Sequence, residues 1–159
     1  MDFSTYTNSL STLTTAQVQA LTRTDLASLT VAQATAVNAA FIGALLPSQI
    51  PGFATDDLVL LTTAAIAAIT QDQVTGLNVT QMAVLTSTQL GALTNTAIAA
   101  LSNRQIAALT TDQVFNLTSN SLKALATEQA RDLLGVKSTR GGEAVGQAHR
   151  LQCGLVNWV

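Results

Sequence analysis

The chain has 159 residues, 48% hydrophobic but only 10% charged, with a formal net charge of −2. That is long enough for one domain with a core of its own, and too sparsely basic for a phosphate-binding surface: Arg23, Arg104, Lys123 and Arg131 are scattered, so no nucleic-acid partner is expected. The single cysteine, Cys153, excludes an internal disulfide and any multi-cysteine metal site.

Residues 1–12 read as an N-terminal cap. The opening MDFSTYTNSL has no basic region followed by an apolar core, so no cleaved secretory signal is expected. The longest apolar stretch, near Val37 to Leu46, is well below the roughly 20 residues of a membrane span, so no membrane insertion is expected.

From Leu13 the chain keeps an eight-residue beat. It runs Leu13, Leu21, Leu29, Val37, Leu45, Phe53, Leu61, Ile69, Leu77, Leu85, Leu93, Leu101, Leu109, Leu117, Leu125, Leu133. Five residues after each beat stands a second apolar residue, from Val18 and Leu26 to Leu122 and Ala130, and no polar residue breaks either series. Self-similarity of this kind marks a repeat array in which each unit buries its apolar face against its neighbours.

One unit reads L-T-x-x-Q-[VIL]-x-A. Thr, Ser or Asn usually follows the beat, as at Thr14, Asn38, Thr62 and Ser102, and Gln often follows three residues later, as at Gln17, Gln33, Gln73, Gln81, Gln89, Gln105 and Gln113. This is the capping-box pattern, so each octad is expected to start its own helix. Acidic residues such as Asp25, Asp56, Asp72, Asp112 and Glu128 fall near those helix starts, where the dipole favours them. One continuous helix would drift about 80° per octad and smear its leucines around the surface. Short helices of about two turns keep every beat residue inward. The Ala or Gly before the beat, as at Ala20, Ala36, Ala68 and Gly76, fits close approach between helices. A β-solenoid is the rival, favoured by Thr, Val and Ile. The odd spacing of five then three argues against it, because alternation would put successive apolar residues on opposite faces. The expected fold is therefore all-α: a solenoid of short capped helices over residues 13–134, one per octad.

The middle, VNAAFIGALLPSQIPGFATDDLVL from Val37, keeps the beat but loses Thr caps and holds both prolines. Pro47 falls where a helix would begin, which proline tolerates, and Pro51 should shorten or kink its helix. A bend in the array is one reading. An interaction patch around Phe41, Ile42, Leu46 and Phe53 is another.

After Leu134 the beat is lost. Residues 135–159 hold five of the nine glycines and the only His, Cys and Trp. Ala144, Ala148, Leu151 and Leu155 have helical spacing. A C-terminal cap, a foreign or read-through segment joined near Gly135, and an interaction tail using Leu151, Leu155 and Trp158 all fit.

No catalytic constellation emerges. His149 and Cys153 are four apart but have no orienting group. Asp56 and Asp57 lack the D-x-D-x-D-G context of a calcium loop and read as helix-start charges. Asn78-Val79-Thr80 and Asn116-Leu117-Thr118 match the glycosylation tripeptide, as expected by chance in a Thr- and Asn-rich array. The chain is expected to be no enzyme and to need no cofactor or metal.

The runs LTTAAIAAITQDQVTGL and LTNTAIAALSNRQIAALTTDQVFNL resemble the L-T-x-x-Q-I-x-A octads of very large bacterial surface or secreted proteins of adhesin-like or haemagglutinin-like type. The resemblance covers roughly Leu13 to Leu134. It implies a spacer or adhesive scaffold outside a bacterial cell, and it carries over no functional residues.

The expected function is a structural and interaction scaffold whose partner is protein, foremost copies of itself as a homo-oligomer or filament. The alternative is binding to an ordered non-protein surface, a polysaccharide or ice, through regular hydroxyls. The expected location is the cell surface or outside, by a route without a cleaved N-terminal signal, with the cytoplasm as the other compartment open.

Overall fold

The structure, a computed structural model, describes residues 10–125 and 129–130. Among them are thirteen α-helices of four to six residues, two 3-10 turns and no strand. The helices are α1 (Thr15–Gln19), α2 (Arg23–Ala27), α3 (Val31–Ala36), α4 (Ala39–Ala44), α5 (Thr55–Leu58), α6 (Thr63–Ala67), α7 (Gln71–Val74), α8 (Val79–Val84), α9 (Ser87–Ala92), α10 (Asn95–Ala99), α11 (Asn103–Ala108), α12 (Thr111–Phe115) and α13 (Ser119–Ala124). A helix thus begins every eighth residue, and between α1 and α13 only residue 47 fails to start one.

The local cause is visible at every corner. At the end of α9, Leu93 (φ −60°, ψ 141°) and Thr94 (φ −65°, ψ 154°) are both extended, which ends one helix and reorients the chain for the next. The hydroxyl of Thr94 then accepts from the backbone N–H of Ala97 at 3.2 Å. Twelve of the thirteen helices have such a side-chain cap, from Thr, Ser or Asn. Eight have the full reciprocal box, including Thr14 with Gln17 and Ser102 with Gln105. Each cap contributes about 1 kcal/mol. Helices this short are not stable alone, so packing must hold them.

The packing has a longer period than the sequence beat. Helices whose starts lie three octads apart are neighbours, in three series. The first runs α1, α4, α6, α9, α12. The second joins α2 to the 3-10 turn Ile50–Gly52, and α7 to α10 and α13. The third runs α3, α5, α8, α11. The two apolar positions of each octad meet in one continuous core, and Leu26, Ile66, Met82 and Leu90 are fully enclosed. Full burial of each such side chain contributes about 1.5–3 kcal/mol, more than the cap beside it.

The proline-bearing octad departs from the helix pattern without losing register. Instead of a helix begun at Pro47, the chain forms a turn and then the 3-10 segment Ile50–Gly52, with Pro51 near its start. Ile50 and Phe53 still bury at the expected beat positions. The residue before the beat is tight in the second series. A Cβ on Gly52 would stand 2.8 Å from the Cα of Arg23, and one on Gly76 would stand 2.5 Å from the carbonyl oxygen of Pro47. Elsewhere the same position admits a Cβ: Ala20 and Ala36 are exposed, and Ala44, Ala68, Ala92 and Ala100 are half-buried against the core.

Candidate interaction surfaces and the glutamine ladder

In most octads that carry it, the glutamine has two jobs, one of which the capping pattern did not reveal. In Gln105 the Oε1 accepts from the backbone N–H of Ser102 at 2.8 Å, which closes the capping box. Its Nε2 donates in the opposite direction, to the carbonyls of Val74 at 2.7 Å and Leu77 at 2.8 Å. Those carbonyls lie at the corner 31 and 28 residues earlier. The same pair of bonds recurs from Gln49 to Val18 and Leu21, from Gln73 to Ile42 and Leu45, from Gln81 to Ile50 and Phe53, from Gln89 to Leu58 and Leu61, and from Gln113 to Met82 and Leu85. Gln129 reaches Leu101 likewise.

The physical logic is accounting of polar groups. The beat carbonyl at a corner, such as that of Leu77, has left the helical bonding pattern, and its burial without a donor would cost about 1–3 kcal/mol. The Val74 carbonyl already accepts the Leu77 N–H at 3.2 Å and takes the amide as a second donor. A glutamine amide fits because it carries an acceptor for its own helix start and a donor for the neighbouring corner. Glu or Asp can close a capping box but has no donor. The preference for Gln over Glu at this position was therefore a signal in the sequence. Gln49, left out of the capping pattern because Leu46 precedes it, takes part fully: its Oε1 accepts from the N–H of Leu46 at 2.7 Å.

Where Gln is replaced, the substitutes differ in character. Asp25 accepts from both the N–H and the hydroxyl of Thr22 at 2.7 Å, and the hydroxyl contact above all holds its carboxyl below the usual value. Ala65 and Ala97 are simply buried. Asp57 is buried too, and burial first, then the charge of Asp56, raises its carboxyl above the usual value.

The sequence-predicted interaction patch does not stay together at the surface. Phe41, Ile42 and Phe53 belong to the core at 3%, 1% and 4% exposure, while Leu46 is 42% exposed. The first three therefore hold the array together, and a partner would touch them only after repacking. Leu151, Leu155 and Trp158 lie outside the described residues, as do His149 and Cys153.

The exposed surface is uneven in charge. In the first series the octads of α1, α4, α6 and α9 carry no charged residue, and Asp112 in α12 is the only one in that series. Their exposed side chains are small, such as Thr15, Ala40, Gly43, Thr63, Ala64 and Thr88. The charges collect elsewhere, with Arg23, Asp25, Asp72 and Lys123 on the second series and Asp56, Asp57 and Arg104 on the third. Asn78 and Asn116 of the two glycosylation-like tripeptides are a helix N-cap and a helix C-cap, with the Asn116 side chain donating to the Asp112 carbonyl at 2.8 Å. Among the described residues no group of three potential metal ligands occurs. None of their helices is long and apolar enough to cross a membrane.

No curated protein matches the chain. No solved structure matches it. A family model does: residues 50–87 and again residues 82–119 match the ALTTAQ repeat, so this part of the chain is a region of that repeat type.

Proposed function

We propose that the protein is a non-enzymatic scaffold: a solenoid of three octads per turn that displays flat, regular faces to protein partners, a second copy of itself foremost. The observation that carries this reading is the glutamine ladder, which ties a corner to the octad three places on wherever glutamine holds the position, at seven places in one register from Gln49 to Gln129. Such an arrangement makes stability a sum of neighbour contacts and leaves long faces free for binding. Low net charge and the uncharged first series oppose association only weakly.

The reading extends to a place outside a bacterial cell, as an adhesive or spacer element, by the likeness of the octads to those of large surface proteins. Binding to ice or a polysaccharide through matched hydroxyls is less well supported. The Thr14 hydroxyl both accepts from the Gln17 N–H and donates to the Gln17 Oε1, so cap hydroxyls of this kind are already engaged within their own boxes.

Small-angle scattering and light scattering on the full chain test the proposal together. A rod-like particle whose mass grows with concentration is expected. A compact sphere would overturn the solenoid, and a monomer at all concentrations would overturn self-association.

A further inference from the structure

Two observations meet at Asp57. First, it occupies the ladder position. One octad before it and two octads after it, Gln49 and Gln73 point an amide donor at carbonyls 31 and 28 residues earlier. The corresponding carbonyls for residue 57 are those of Leu26 and Leu29, and α5 packs on α3, which begins just beyond that corner. A carboxylate offers those oxygens no donor. Second, the helix that bears Asp57 is the only α-helix among those described whose N-cap has no side-chain hydrogen bond, because Ala54 stands where Thr is usual. The start of α5 therefore lacks both the side-chain cap, which every other described α-helix has, and the ladder amide, which seven octads have.

The packed neighbours bring the charge no opposite partner, and only the positive end of its own short helix favours it. α5 packs against α3 and α8, and neither helix carries a titratable side chain. The only charged neighbour on its own helix is Asp56, of like sign. Asp57 is nonetheless 6% exposed, so an ionised carboxylate there is partly desolvated, with the like charge of Asp56 beside it.

We infer that Asp57 is a proton-controlled joint in the array: ionised, it loosens the packing of α5 on α3, and protonated, it lets the two close. The direction of its titration agrees. A carboxyl whose folded pKa is raised makes the folded state bind more protons than the unfolded chain, so the stabilisation is present below the unfolded value and is lost as pH rises through the folded one. The consequence is an array that is softest near its proline-bearing octad at neutral pH and stiffens there on acidification.

Two variants of the full chain test this, Asp57→Asn and Asp57→Gln, followed by thermal unfolding from acid to neutral pH. Asn removes the charge at nearly constant size, and Gln also restores the donor. Both should raise the midpoint at neutral pH by on the order of 3 °C, and the gain should shrink as the pH falls below the ordinary carboxylate range. Hydrogen-exchange protection of the Leu58 amide, which bonds the Ala54 carbonyl at 3.2 Å, should rise with Asp57 protonation in the wild type and stay level in Asp57→Asn. A gain that does not change with pH, or a lower midpoint in both variants at neutral pH, would overturn the joint.

Discussion

Gln105 and Leu77 are 28 residues apart in the chain, yet the amide Nε2 of the first donates to the carbonyl of the second at 2.8 Å. The bond turns an eight-residue sequence beat into contacts at three times that interval. It also gives the recurrent glutamine of the octad a role that a helix cap alone does not explain.

Glutamate should therefore not replace glutamine inside the array. Gln105→Glu keeps the acceptor for the Ser102 N–H but withdraws the donor from the Leu77 carbonyl, takes a second donor from that of Val74, and sets a carboxylate against both. A loss of about 2–4 kcal/mol in unfolding free energy is expected. Gln17→Glu, at a half-buried position whose recorded bonds are those of its own box, should change stability by less than about 0.5 kcal/mol. Equal losses in denaturant titrations would show that only the box matters.

Beat and cap positions should differ in weight. Leu93, 4% exposed, when cut to Ala should cost about 2–5 kcal/mol. Thr94→Ala, which removes one cap acceptor, should cost about 1 kcal/mol. A larger loss from the threonine would reverse the assignment of core and cap.

The glycines divide by what lies over them. Gly76→Ala would drive a methyl group into the Pro47 carbonyl and should destabilise, whereas Gly91 has nothing within 4 Å and sits in a helix. Gly91→Ala should stabilise by about 0.5–1 kcal/mol. The unfolding midpoints of the two variants should move in opposite directions.

Asp25 should show the opposite pH dependence to Asp57. Its folded pKa is depressed by the Thr22 hydroxyl and then the Thr22 backbone, so its contribution is present above the ordinary carboxylate value and lost as pH falls through the folded one. Asp25→Asn should lower the midpoint modestly at neutral pH and not at all in strong acid. A variant that matches the wild type at every pH would remove this interaction from the account.

Much of this was readable from residues alone, and the reasons are local. Extended Leu followed by a Thr cap is a matter of neighbouring dihedrals and one hydrogen bond, so helix starts at Arg23, Val79 and Asn103 followed from the octad itself. The number of octads per packing interval is not a local property, and the beat is silent on it. Hints existed in Gln where Glu would serve a cap, and in Gly52 and Gly76 standing 24 residues apart beneath bulky neighbours. Phe41 was misleading for the same reason. It takes a ladder position, where a large apolar side chain meets the next element rather than solvent, and an octad read singly cannot show that.

The tight seating of Gly52 on Arg23 and of Gly76 on Pro47 sets a rule for how such a chain can change length. Gain or loss of a single octad would still give every glutamine a corner to bind, but would place side chains bearing a Cβ where only glycine fits. Beyond residues 23–76, by contrast, a single octad gained or lost would leave both pairings intact. Between residues 23 and 76 the array is therefore locked in register by two points of backbone contact, while farther along the same series Ala100 carries a Cβ at that position and imposes no such lock.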